Sequence, residues 1–371
     1  MKTSIKIGKI YGIPVKLHFT LIFIVIFIAW SIGSNVFLIS EALGVEDPGI
    51  ATGPLSYLIG FILAMGLFIS VFIHEMAHSI VSIRNGIKVE EISLWLFGGV
   101  SSMEEMPNIP NVEIKVSAVG PLTSLAIGII MYTGGMLLTD SILVFMFIYL
   151  GLINFILAGF NLIPAFPMDG GRILRAFLAK KLPYVKATKK AADIGKAFAI
   201  IFGIVGFFFN IFLILIAFFV YIAASQEAKS VMFRETLSKV KVKDIMSKDV
   251  KTVSPDTSIK EFLDMVTTYQ HTGFPVASED KILGIMTLGD SKKIPEDRIS
   301  VARVKDVMEK DIICVNPEDD VNKVWKLMME KQFGRFPVLE GDDLVGIITR
   351  SDVMQSFNIL TELERFGRDE I

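Results

Sequence analysis

The sequence predicts a multi-span α-helical membrane domain followed by an α/β tandem repeat. Two observations carry that expectation. Charged residues fill 27 of the first 225 positions but 49 of the last 146, in a chain of 371 residues that is 52% hydrophobic. The second part also matches itself at a constant offset of 62 residues. A net charge of −2 without any basic block gives no electrostatic footprint for nucleic acid. The single cysteine, Cys314, excludes an internal disulfide and a cysteine-based metal cluster. A metal would therefore need histidines and carboxylates, and there are only four histidines.

About 20 apolar residues cross a bilayer as a helix. Leu17–Ile39 is the first such stretch, too long for a signal peptide and without a cleavage site, so it reads as a retained span. Leu55–Ile83, Glu113–Leu138 and Ser141–Ile163 supply three more. Ala191–Ala224 is too long for one upright span, and Gly206 and Asn210 interrupt it, so two helices joined near Phe208–Ile211 are expected. Lys2, Lys6, Lys9 and Lys16 precede the first span, Arg84 and Lys88 follow the second, and Arg172 to Lys190 follow the fourth. The alternate loops carry no Lys or Arg. Six spans in the cell membrane, with the N-terminus and the charged C-terminal part in the cytoplasm, satisfy this asymmetry.

The second span contains His74-Glu75-Met76-Ala77-His78. Residues four apart share a helix face, so two imidazoles can grip one zinc ion while Glu75 takes a proton from the attacking water. Without such a use, three polar side chains in an apolar helix would each cost roughly 2.5–3.5 kcal/mol by insertion scales. Catalytic zinc usually has three protein ligands. His18, at the edge of the first span, and His271, in the charged half, read as structural. A carboxylate is offered by Asn161-Leu162-Ile163-Pro164-Ala165-Phe166-Pro167-Met168-Asp169-Gly170-Gly171. Pro164 and Pro167 stop the helix, the double glycine permits a tight turn, and irregular chain presents Asp169. Alone, Asp169 reads equally as an N-cap for a helix starting near Arg172. Beside the histidine pair, ligation is the better reading.

HEMAH, Gly120-Pro121-Leu122-Thr123-Ser124 in the third span and NLIPAFPMDGG after the fourth resemble the site-2 protease family of intramembrane zinc metalloproteases, over residues 1 to about 225. The resemblance implies zinc ligands His74, His78 and Asp169, with Glu75 as general base. Asn161 would contact the substrate backbone or the developing oxyanion, or else bond its own interrupted helix. Ile92–Ser102 is apolar but too short to span, and looks like the family's β-hairpin or re-entrant segment. It either pairs with an extended substrate strand or closes the core.

In the repeat, Val242-Lys243-Asp244-Ile245-Met246 matches Val304-Lys305-Asp306-Val307-Met308, Phe274-Pro275-Val276 matches Phe336-Pro337-Val338, and Gly284-Ile285-Met286-Thr287 matches Gly346-Ile347-Ile348-Thr349. One shift through every landmark means two copies of one module. They resemble a pair of CBS domains. The expected layout is a membrane metalloprotease domain over 1–225, a linker over 226–240, CBS domains over 241–298 and 299–360, and a tail over 361–371. The resemblance implies an adenine nucleotide (ATP, ADP or AMP) in the cleft between copies, with Thr287, Asp290, Thr349 and Asp352 at its ribose and phosphates. The alternative is an empty pair serving homodimerisation, with Asp290 and Asp352 as helix N-caps.

The function expected is zinc endopeptidase cleavage within or beside the transmembrane segments of membrane-anchored protein substrates, regulated by the nucleotide. A CBS-gated transporter or channel with a metal site is the alternative. It would be expected to show polar groups along a pathway and a repeat among its spans, and the sequence has neither.

Overall fold

The computed structural model describes residues 4–45, 53–95, 98–103, 108–278, 281–295, 298–299 and 301–365. The chain divides into two compact units, Met1–Lys229 and Ser230–Ile371.

The first unit opens with a hairpin that the sequence reading did not foresee. Strands β1 (Ser4–Ile10) and β2 (Ile13–His18) are joined by Tyr11 and Gly12, both at positive φ (50° and 79°). Such two-residue turns match the natural twist of paired strands. Next come helices α1 (Thr20–Ser34), α2 (Val36–Ala42) and α3 (Pro54–Arg84). The first expected span is therefore not one straight helix, because α1 and α2 meet at a 69° bend. Asn35 sits at the break, and its side-chain amide donates to the Ser31 carbonyl at 2.8 Å, competing with the backbone ladder.

After α3, β3 (Val89–Trp95) and β4 (Gly98–Met103) form the expected hairpin. It is half of a larger sheet, because β2 runs parallel to β3 and the order is β1-β2-β3-β4, leaving β4 on an edge. Lys16 and Glu91 pair across β2 and β3. Helices α4 (Pro110–Met136), α5 (Ser141–Asn161), α6 (Asp169–Ala179) and α7 (Tyr184–Phe209) follow, and α8 (Ile211–Thr236) runs past the unit's end at Lys229. Among the described residues, five helices, α3, α4, α5, α7 and α8, are long and apolar enough to cross a membrane, and six spans result if the bent α1–α2 pair is one. The outward faces carry large apolar side chains such as Phe207, Phe208 and Phe209, 76%, 72% and 83% exposed, which suits lipid and not water.

Asn210 ends α7, and its side-chain oxygen accepts from the Phe212 N–H at 2.9 Å, restarting the chain as α8. Helix α8 continues to Thr236, through much of the stretch read from the sequence as a linker. The double glycine does not make a turn. Gly170 and Gly171 lie in the first turn of α6, and a Cβ on either would strike backbone of the segment 162–166, so glycine serves close packing there.

The second unit repeats one pattern. Helices α9 (Val242–Ile245) and α10 (Ile259–Tyr269), strands β5 (Gly273–Ser278) and β6 (Lys281–Thr287) and helix α11 (Leu288–Ser291) form the first copy. Helices α12 (Val304–Val307) and α13 (Val321–Lys331), strands β7 (Arg335–Glu340) and β8 (Asp343–Thr349) and helix α14 (Arg350–Arg365) form the second. The hairpins share a register: Gly273 faces Thr287 as Arg335 faces Thr349, and a bulge follows Val276 as it follows Val338. The copies exchange their leading segments. Val242 packs with Val315, Phe336 and Ile348, whereas Val304 packs with Val253, Phe274 and Met286.

Phe336 is fully enclosed in one of these two cores. Phe336→Ala is expected to destabilise the second unit by about 3–5 kcal/mol. Hydrogen exchange across residues 321–353 of the full chain should show that loss, and unchanged protection would contradict this packing.

Candidate metal centre

His74 and His78 stand one turn apart on α3, both buried, with ring centroids 4.8 Å apart and planes at 75°. Their Nε2 atoms are 3.1 Å apart. Asp169, the first residue of α6, brings Oδ2 to 3.3 Å from His74 Nε2 and 3.1 Å from His78 Nε2. Among the described residues, these three form the one group of three or more His, Cys, Asp or Glu side chains whose donor atoms all lie within 4.8 Å of one another.

The far sides of the rings decide what their near sides offer. His78 Nδ1 lies 2.7 Å from the Val116 carbonyl oxygen, which can only accept, so Nδ1 carries a proton and the neutral ring presents an Nε2 lone pair. His74 Nδ1 lies 2.9 Å from Ser124 Oγ, a hydroxyl able to accept its N–H and so compatible with the same tautomer. Two imidazole Nε2 atoms and a carboxylate oxygen thus converge on one point, inside an apolar bundle. That donor set fits a cation, and imidazole nitrogen with carboxylate oxygen is chemistry that zinc accepts. The helix carrying both partners also makes room for the rings: a Cβ at Gly120 would strike both imidazole Nε2 atoms.

Irregular chain delivers Asp169. Local bonds hold this segment, with the Ala165 N–H donating to Ile163 O at 2.7 Å and the Met168 N–H donating to Ala165 O at 3.0 Å. Broken backbone needs such pairing where water is excluded. Met168 is the cap residue of α6, so Asp169 is not the N-cap of a helix near Arg172.

Glu75 lies beside the pair on α3, its Cγ pressed against Gly99 of β4, where a Cβ would collide with it. Asn161 ends α5 and donates its side-chain amide to the Leu157 carbonyl at 2.9 Å. Its bond is thus to its own helix. His18 contacts Thr20 Oγ1 at 2.8 Å, and His271 stacks near Phe274. Neither belongs to the metal group. Sequence reasoning singled out Gly120 and Ser124 only within a motif, and it passed over the Val116 carbonyl. The spacing of 116, 120 and 124 along one helix face was the signal available.

In the second unit, Thr287 and Asp290 border a cleft of about 660 Å³, together with Lys293, Asp311, Phe333 and Arg335. Thr349 and Asp352 border its counterpart of about 380 Å³, with Lys251, His271 and Arg335. Arg335 lines both. Thr287, not Asp290, is the cap of α11. Asp290 is the third residue of a capping box, with Thr287 Oγ1 donating to its Oδ2 at 2.6 Å. Asp352 repeats this with Thr349 at 2.8 Å. The alternative of aspartate N-caps does not hold: the threonine, whose short side chain follows a strand, takes the cap. Burial raises the Asp290 carboxyl, but hydrogen bonds from Lys293 and Thr287 outweigh it and hold it below the ordinary carboxylate range.

The model of peptidase family M50 matches residues 62–143 and 137–202, and the CBS domain model matches 242–290 and 304–358. A zinc metalloprotease of Methanocaldococcus jannaschii is 38% identical over 97% of this chain and 98% of its own length. The site-2 protease structure from the same organism is 40% identical, covering 61% of this chain and 95% of that one, with a TM-score of 0.42. An inosine-5'-monophosphate dehydrogenase of that organism is 38% identical over 31% of this chain and 23% of its own length.

Because a side chain at 120 must displace both rings, Gly120→Val is expected to weaken zinc binding at least about tenfold, as damage to ligand orientation does elsewhere. Competition with a chromophoric chelator reads this directly on folded protein. A zinc dissociation constant equal to that of the wild type would contradict the geometry.

Proposed function

This chain belongs to peptidase family M50, as a zinc metalloprotease joined to a CBS pair in a membrane-embedded protein, and on that premise we propose what it cleaves and what controls it. The substrate is a membrane-anchored protein, cut within or beside its transmembrane segment. The CBS pair binds an adenine nucleotide that regulates cleavage. Residues 1–225 form the protease domain, 241–298 and 299–360 the CBS domains, and both the N-terminus and the CBS pair face the cytoplasm, as the basic flanks of the spans support.

One observation carries the peptidase site: the convergence of His74 Nε2, His78 Nε2 and Asp169 Oδ2 within an apolar helix cluster. These three would hold the zinc. When bound, zinc polarises the scissile carbonyl and lowers the pKa of water towards ~7. Glu75, beside the ligands, accepts the proton of the attacking water and returns it to the leaving amine. Val116 and Ser124 keep both rings in the ligating orientation. Asn161 sits where α5 gives way to the irregular segment, and in this reading its amide turns from Leu157 to the substrate backbone or oxyanion.

A helical peptide bond is shielded by its own hydrogen bonds, so substrate must be extended before attack. Among the described residues β4 is the edge strand and offers backbone groups for strand addition, and Glu75 packs against Gly99 of that strand, which would bring proton acceptor and docked segment together. In the CBS clefts, Thr287, Asp290, Thr349 and Asp352 lie at the start of helices beside cavities large enough for a nucleotide, with Lys293 and Arg335 to meet phosphates. A second copy of the chain would pair through these domains.

Two experiments test the reading. Glu75→Gln should abolish cleavage of a membrane-anchored substrate in vesicles while zinc stays bound. Residual cleavage near the wild-type rate would remove Glu75 from the chemistry, and a transporter need not show that separation. Titrating AMP and ATP should alter the cleavage rate of the wild type, and Asp290→Ala with Asp352→Ala should blunt that response without altering the basal rate. An unchanged rate at nucleotide concentrations that demonstrably bind would end the regulatory proposal.

A further inference from the structure

Arg175 is a buried charge that the chemistry above does not use. It lies on α6, six residues beyond Asp169, and only 4% of its side chain is exposed. Its Nε donates to Glu113 Oε1 at 2.7 Å and its Nη1 to Glu227 Oε1 at 2.6 Å. The guanidinium carbon stands 5.1 Å from the Phe166 ring centroid and 5.0 Å from that of Tyr184. Glu113 is fully buried, and its second oxygen has no hydrogen-bond partner among the described residues. Its charge is therefore balanced by Arg175 first, and a rigid planar fork of donors suits that task better than a mobile ammonium.

We infer that Arg175 is the positioning residue of the metal centre, a clamp that fixes the helix delivering Asp169 against the helix orienting both imidazoles; this rests on the metal reading proposed above. Glu113 belongs to the helix, α4, that supplies the Val116 carbonyl to His78, the gap at Gly120 and the Ser124 hydroxyl to His74. Positions 113, 116, 120 and 124 recur at helical spacing and share one face. Arg175 and Asp169 belong to α6, and Phe166, three residues before Asp169, stacks on the same guanidinium. One ion pair thus spans the two supports whose separation sets the distance from carboxylate to rings. Helix α8, through Glu227, adds a third arm from the flank.

A purely structural role would lower thermal stability without changing metal affinity well below the unfolding temperature. A positioning role changes affinity itself. Zinc dissociation constants of the full chain in detergent, measured against a chromophoric chelator, separate the two, and the absorption spectrum of the cobalt-loaded protein reports ligand geometry independently. Arg175→Gln and Glu113→Gln are expected to weaken zinc at least about tenfold and to alter the cobalt bands. Arg175→Lys, which keeps the charge, should recover part of the loss. If Arg175→Gln does not fold, Glu113→Gln decides, since it keeps size and an acceptor. Zinc held within tenfold of wild type with an unchanged cobalt spectrum would overturn the clamp. A wild type that binds zinc no better than His78→Ala would instead overturn the metal reading, and the clamp with it.

Discussion

Three electron-rich atoms from two distant parts of the chain meet within about 3 Å, in surroundings that hold little water to screen them. The His78 ring turns its Nδ1 side to the Val116 carbonyl and its Nε2 side to Asp169, so a cation between them would meet both donors at once. The rest of the first unit can be understood as the framework that holds the arrangement. Helix α3 carries the rings, α4 fixes their orientation and clears space for them, and the interrupted chain after α5 brings in the carboxylate.

That framework explains features that otherwise look like defects. Pro164 and Pro167 break a helix among apolar spans, yet the broken segment bonds Ala165 N–H to Ile163 O and Met168 N–H to Ala165 O, and buries Ala165, Phe166 and Met168. Gly170 and Gly171 let α6 start almost in contact with the segment 162–166. The sheet extends the arrangement outward. Its edge strand β4 touches Glu75 through Gly99, so the proposed proton acceptor stands beside the last strand of the sheet.

The two histidines could be read from the sequence because helical spacing of four leaves little doubt about a shared face, and because such residues are costly in an apolar span. Asp169 was reachable once the donor count fell short. The Val116 carbonyl was not, since a backbone acceptor has no side-chain signature. The Arg175–Glu113 pair was not either, because its members are 62 residues apart and each reads locally as an ordinary interfacial charge. The opening hairpin was hidden for a different reason. Lys6, Lys9 and Lys16 have the composition of a basic flank, and only the Tyr11-Gly12 turn between Ile- and Lys-rich stretches signals the hairpin. Asn35 could bend the first span only through its bond to Ser31, which composition does not reveal. The tandem repeat was the most legible part, because the constant offset survives into the register of both hairpins.

Both units rely on a residue whose side chain is used twice. Thr287 caps a helix and borders a cleft, and Asp290 braces that cap while facing the same cavity. His74 and His78 likewise hold their own surroundings on one side and the metal point on the other. The most direct measurement of this account is X-ray absorption at the zinc edge of the purified full chain. It should find one zinc per chain with two imidazole nitrogens and oxygen in its first shell, and Asp169→Asn should change the oxygen contribution while both imidazoles remain. A first shell without paired imidazoles, or one untouched when His74 and His78 are both replaced by alanine, would contradict it.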